Sequence, residues 1–277
     1  MREYNELINH CYLTGGEVSY IGETHAGYKI PMVTKGAGDV GVLIIGGIHA
    51  REYITSFLLL RLLAEYHGEV RVDVIPMLNF DGYLLSKKGV DVFPMKLKDR
   101  QALYVMNGGK SDFSLWKANI RGVDLNTNFP AKWGEGEHNV FTPSSENYVG
   151  VAPLSELETQ AVYKLMKSSE YALVVCYHSK GEEVYWGFQK DIRYKKYARA
   201  VANKLNYKLK ETPRSTGGIK DVWTLETGRL GLTIEVGKDK FTHPYPMREL
   251  DNLVRQHEGI IDYYTRIAKE LWKTYGS

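Results

Sequence analysis

The sequence predicts an α/β fold in one domain, residues 1–277, with a β-sheet covered by helices on both faces. Three observations predict it. Unbroken apolar runs such as Val42-Leu43-Ile44-Ile45 and Ala172-Leu173-Val174-Val175-Cys176-Tyr177 read as strands buried on both sides. Segments of helical spacing stand between these runs, an order that suits a largely parallel sheet. A chain of 277 residues, 43% hydrophobic and 25% charged, can bury a core that needs no disulfide staples.

Taken in order, residues 3–13 have the spacing of a short amphipathic helix. Residues 17–35 read as two strands joined by a hairpin at Ala26-Gly27. The strand at 40–45 breaks at Gly46-Gly47, and Ile54, Leu58, Leu59, Leu62 and Leu63 then mark one face of a helix over 53–66. Residues 70–77 form the next strand, closed by a turn at Asn79-Phe80-Asp81-Gly82. From 86 to 149 no period emerges, so active-site loops are expected there. Ser155 and Glu158 have the spacing of a capping box for a helix reaching 167. A strand at 172–177, a helix at 192–205, a strand at 231–237 and one or two helices over 247–275 complete the chain.

Several classes fall away. Net charge is +3, and no Lys/Arg cluster marks a nucleic-acid footprint. No apolar run approaches the roughly 18 residues of a membrane span. Residues 1–6 are polar and lack a signal core, and the cysteines number two, Cys11 and Cys176. Both features suit a cytoplasmic protein, with Cys176 a small buried hydrophobe. Nothing in the sequence fixes an oligomeric state.

The stretch of most chemical interest is Gly46-Gly47-Ile48-His49-Ala50-Arg51-Glu52, where a strand ends in a glycine loop bearing His49 and Glu52 three residues apart. The run 172–177 likewise ends in His178-Ser179-Lys180-Gly181. Sites in open α/β sheets form beyond the carboxyl ends of strands. If strands 42–45 and 172–177 are neighbours, two imidazoles and a carboxylate can meet on one divalent ion, a set that suits catalytic zinc. Taken alone, His178 also fits a capping or core histidine. Glu235 lies inside the apolar run Leu232-Thr233-Ile234-Glu235-Val236, and a buried carboxylate is costly without a role. Beside an ion it suits a proton carrier between water and a leaving amine. The competing reading turns it outward on an edge strand, opposite Leu232, Ile234 and Val236.

Gly47-Ile48-His49-Ala50-Arg51-Glu52, His178 after a strand, and Thr233-Ile234-Glu235-Val236-Gly237 together resemble the zinc metallocarboxypeptidases, in the right order and from about Tyr20 to the final helices. Within that family, three further stretches resemble the bacterial γ-D-glutamyl-diamino acid peptidase branch. They are Trp116-Lys117-Ala118-Asn119-Ile120-Arg121-Gly122-Val123-Asp124-Leu125-Asn126, the run His178 to Trp186, and Gly217-Gly218-Ile219-Lys220-Asp221. The resemblance implies a mixed, mostly parallel twisted sheet and one zinc per chain held by His49, Glu52 and His178. It implies Glu235 as general base and then acid, Arg121 against the oxyanion, and Arg51 orienting the substrate. Arg51 and Arg121 also fit solvated surface arginines.

The chain departs from the family at Asn126-Thr127, where ordinary carboxypeptidases have Asn-Arg. A neutral threonine cannot replace a bidentate clamp on a terminal carboxylate. The usual tyrosine of the specificity loop is also missing, its place falling near Pro213. Lys220, at the expected floor of the specificity pocket, and Arg214 before it are the cations that compensate, provided the substrate brings a second carboxylate, as meso-diaminopimelate does. Otherwise Lys220 pairs with Asp221 or Glu226. The expected activity is hydrolysis of the γ-D-glutamyl–diamino acid bond in a peptidoglycan-derived peptide, a muropeptide or stem peptide. The alternatives are a carboxypeptidase for acidic C-termini and a degenerate module that holds peptide without cutting it.

Overall fold

The computed structural model describes residues 2–189, 193–211 and 216–275. Helix α1 (Arg2–Leu13) leads into the hairpin β1 (Glu17–Glu23) and β2 (Lys29–Lys35), followed by β3 (Ala37–Ile45), α2 (Ile54–Ala64) and β4 (Val70–Ile75). Then come α3 (Phe80–Lys88), α4 (Leu97–Met106), α5 (Leu157–Ser168), β5 (Tyr171–Ser179) and β6 (Glu183–Trp186). The chain continues through α6 (Lys195–Leu205), β7 (Lys208–Glu211), α7 (Ile219–Thr227), β8 (Leu230–Val236), α8 (Leu250–Gln256) and α9 (Ile260–Tyr275).

All eight strands join one sheet in the order β1-β2-β4-β3-β5-β8-β6-β7. β3 runs parallel to β4 and β5, β5 parallel to β8, and β6 parallel to β7. The remaining pairs are antiparallel, so the sheet is mixed, with parallel strands at its centre. Alternation in β3 shows why its apolar run is continuous. Val42 and Ile44 face a core shared with Leu58 and Leu63 of α2 and Tyr264 and Ala268 of α9. Leu43 and Ile45 face a second core with Val162 of α5 and Val222 and Trp223 of α7. Both faces are covered, as a parallel centre requires.

Three expectations need correction. Asn79 does not close a simple turn: it is the N-cap of α3, its Oδ1 accepting from the Gly82 N–H at 3.0 Å. The stretch 86–149 is not wholly irregular, since α4 lies within it. Ser155 and Glu158 form no capping box. Helix α5 starts two residues later than expected, with Glu156 at its N-cap and no side-chain cap. Among the described residues, Cys11 and Cys176 are buried and unpaired. No described helix is long and apolar enough to cross a membrane.

Candidate metal centre and active-site cleft

The loop after β3 bends sharply because Gly47 adopts φ 55°, and a Cβ there would lie 2.6 Å from Ser56 Oγ and 2.9 Å from Met77 Cα. Thr55 ties the bend down, its hydroxyl accepting from the Gly47 N–H and donating to the Glu52 carbonyl. Ala50–Glu52 form a 3₁₀ turn that aims His49 and Glu52 the same way. β5 lies beside β3 with Ile45 opposite Cys176, which brings His178 to this loop.

The three expected ligands meet. His49 Nδ1 is 3.0 Å from Glu52 Oε1, His178 Nδ1 is 3.0 Å from Glu52 Oε2, and the two Nδ1 atoms are 3.0 Å apart. All three residues are buried, and their ligand atoms lie within 4.8 Å of one another. Two imidazole nitrogens facing each other across a carboxylate make a donor set that a divalent cation satisfies. Asp124 strengthens this reading. Its Oδ1 is 3.1 Å from His49 Nε2. An ionised carboxylate only accepts, so Nε2 carries the proton and the Nδ1 lone pair faces the centre. Burial opposes the charge on Asp124, but Lys117 and His49 outweigh it and hold the carboxyl well below its usual range. Glu52 follows the same pattern, its burial outweighed by His49 and His178.

Beside these donors opens a cleft of about 540 Å³, lined by His49, Glu235, Lys117, Asn126, Thr127 and Lys220 among others. Glu235 is the register partner of His178, and β8 runs between β5 and β6, so it is no edge strand. The side chain does turn away from Ile234 and Val236, but the opposite side is the cleft wall rather than open solvent. Burial pushes its carboxyl well above the usual range, with His178 opposing. Asn126 Oδ1 accepts from the Ile219 N–H at 3.2 Å, and Thr127 Oγ1 donates to the Asp124 carbonyl at 2.9 Å. Gly217, at φ 78°, lets the 216–218 segment close against Thr127, whose carbonyl would lie 2.5 Å from any Cβ.

The expected cations separate. Lys220 is buried in the cleft and donates to the Gly187 carbonyl and to Asp221 Oδ1, both at 2.5 Å, so the pocket floor is an ion pair. Arg51 lies outside the cleft lining, donating to the Leu115 carbonyl at 2.9 Å and to Glu146 at 3.4 Å. Arg121 is also away from the cleft, half exposed, with Nε 3.9 Å from Glu156 Oε2. Arg214 and Pro213 lie outside the described residues. The cation that does face the cleft beside His49 is Lys117, whose Nζ is 2.7 Å from Asp124 Oδ2. Burial works against its charge, but Asp124 and Glu52 outweigh it and the amine stays protonated. Sequence reading passed over Lys117, Asp124 and the cleft-lining Tyr185. The available signal was Lys117 and Asp124 flanking the same loop, with the carboxylate next to an Asn-Thr turn.

A profile of the zinc carboxypeptidases matches residues 6–258. The chain belongs to the zinc carboxypeptidase family. The family is one of zinc peptidases, and the His49/Glu52/His178 donors fit the ion that the family uses. Among curated relatives, γ-D-glutamyl-L-diamino acid endopeptidase 1 of Lysinibacillus sphaericus is 30% identical over 87% of this chain and 65% of its own length. Human mast cell carboxypeptidase A is 27% identical over 65% of this chain and 42% of its own. The chain thus spans less than two thirds of these relatives. Among solved structures, bovine thrombin-activatable fibrinolysis inhibitor superposes with a TM-score of 0.77 at 19% identity, covering 98% of this chain and 97% of that one. Murein-tripeptide amidase MpaA from Escherichia coli O157 gives 0.54 at 23% identity, covering 86% and 91%. These likenesses establish the metallocarboxypeptidase fold.

Proposed function

We propose that residues 1–277 act as one catalytic unit that hydrolyses the γ-D-glutamyl–diamino acid bond of peptidoglycan-derived peptides, with one catalytic zinc per chain on His49, Glu52 and His178. The observation that carries this reading is the cleft itself, which His49 of the ligand set lines together with Glu235, Lys117 and Lys220. The 30% identity to a γ-D-glutamyl-L-diamino acid endopeptidase supports the substrate class. A zinc ion there supplies a Lewis acid for the scissile carbonyl and lowers the pKa of water. Glu235, raised by burial, takes a proton from the attacking water and returns it to the amine as the C–N bond breaks. Lys117 offers positive charge to the oxygen that becomes negative, the role first assigned to Arg121. Asp124 keeps His49 in the tautomer that faces the centre.

For the substrate, Asn126 and Thr127 give polar but uncharged contacts. Lys220 with Asp221 gives a floor of paired charges, suited to an end that carries both amine and carboxylate. Arg51 ties the 115 and 146 loops together from outside the cleft lining. The carboxypeptidase reading for acidic C-termini shares Lys220 but lacks an arginine at position 127. A cytoplasmic place of action fits the two buried, unpaired cysteines.

The deciding experiment incubates the zinc-loaded chain with L-Ala-γ-D-Glu-meso-diaminopimelate, with and without a chelator. Release of free diaminopimelate that the chelator abolishes is expected. Unchanged tripeptide, together with cleavage of capped dipeptides ending in Glu or Asp, would replace this reading with the carboxypeptidase one.

A further inference from the structure

A second cluster of metal-ligand type lies outside the cleft. His25 stands in the β1–β2 turn, and Glu156 and Glu158 at the start of α5. His25 Nε2 is 3.0 Å from Glu156 Oε2 and 3.8 Å from Glu158 Oε2, and the three ligand atoms lie within 4.8 Å of one another. Glu156 is 1% exposed and Glu158 0%.

The two carboxylates differ in one decisive respect. Glu156 is held by neighbours, accepting from Asn119 Nδ2 and Ser155 Oγ, each at 2.8 Å. Neither oxygen of Glu158 has a side-chain hydrogen-bond partner. A buried carboxylate left bare is strongly disfavoured. Arg121 reaches Glu156 at 3.9 Å from a half-exposed position, and no ion pair joins it to Glu158. Burial opposes charge on His25, but Glu156 and Glu158 outweigh it, and burial pushes the Glu158 carboxyl up to about 7. A divalent ion that displaces both protons meets a neutral imidazole and two carboxylates, whose two negative charges it cancels. One nitrogen with oxygens suits zinc or manganese better than calcium or magnesium, which take oxygen throughout.

We infer that His25, Glu156 and Glu158 hold a second divalent transition-metal ion, structural rather than catalytic. It pins the β1–β2 turn to α5. Through Asn119 it also steadies the 116–127 segment that carries Lys117 and Asp124 into the cleft. The two sites share no residue, so this inference stands or falls apart from the proposed substrate.

The test counts zinc on the full chain after saturation and removal of unbound metal. Wild type should carry about two ions, and His25→Ala or Glu158→Gln about one, while His178→Ala also falls to about one because it loses the other site. One ion in wild type, or two retained in both His25→Ala and Glu158→Gln, overturns the inference. Anomalous scattering at the zinc edge from wild-type crystals decides the same question without a variant. A peak between His25 and Glu158 supports the site, and its absence there refutes it.

Discussion

Lys117 and Arg121 stand four residues apart in one loop, yet only the first reaches the cleft. The family resemblance implied Arg121 for the oxyanion, and a guanidinium is a sound physical choice for that role. Position decides otherwise: Asp124 anchors Lys117 beside His49, whereas Arg121 turns to Glu156. Lys117→Met should lower kcat/KM by about 10²–10³-fold with the cleft zinc retained. Lys117→Arg should recover much of that loss, because it keeps the charge. Arg121→Ala should change kcat/KM by less than roughly tenfold. Steady-state kinetics on the three variants, with metal content measured alongside, checks the assignment. A larger loss in Arg121→Ala than in Lys117→Met would return the role to the arginine.

At the scale of elements, what the sequence reveals depends on length and on apolar run. β3, β5 and β8 are central and covered on both faces, so their patterns are unmistakable, and the ligands at their ends could be found with them. β6 and β7 have four residues each, the polar Lys208–Glu211 among them, and pair at the sheet margin by backbone hydrogen bonds that leave little trace in side-chain pattern. α7 was missed because its start is a glycine pair rather than a Ser or Thr cap; Asp221 Oδ2 instead accepts from the Gly218 N–H at 3.2 Å. A histidine at the end of α8 offers an element-scale prediction. His257 is fully buried between Tyr177 and Tyr207, its Nδ1–H donates to the Leu253 carbonyl at 2.8 Å, and Nε2 has no partner. Burial lowers its pKa from 6.5 to about 4. The unfolded chain therefore takes up a proton near pH 6.5 that the folded chain refuses until about pH 4. Its contribution is intact above pH 6.5 and is lost as pH falls through that window, to an extent on the order of 3 kcal/mol. Urea midpoints from pH 7 to 4 should fall less steeply in His257→Phe than in wild type. Parallel pH curves would show that His257 is not responsible.

For the whole molecule, the main consequence is that no ligand set exists before the sheet does. His49 and Glu52 come from the β3–α2 junction and His178 from β5, so the donors converge only when β3 and β5 are paired, and β8 then brings Glu235 beside them. An ion bound there sees the folded chain and not the unfolded one, and it stabilises folding by mass action. At a free zinc concentration of 100 times Kd the gain is about 2.7 kcal/mol, and for a chain of this size that raises Tm by roughly 5–10 °C. The His25→Ala background isolates the cleft site from the second cluster. In that background zinc should raise Tm by the stated amount, and adding His178→Ala should abolish the rise. If the doubly substituted chain still gained the full increment, zinc would be binding to something other than the strand-borne donors, and the link between sheet formation and the catalytic centre would be lost.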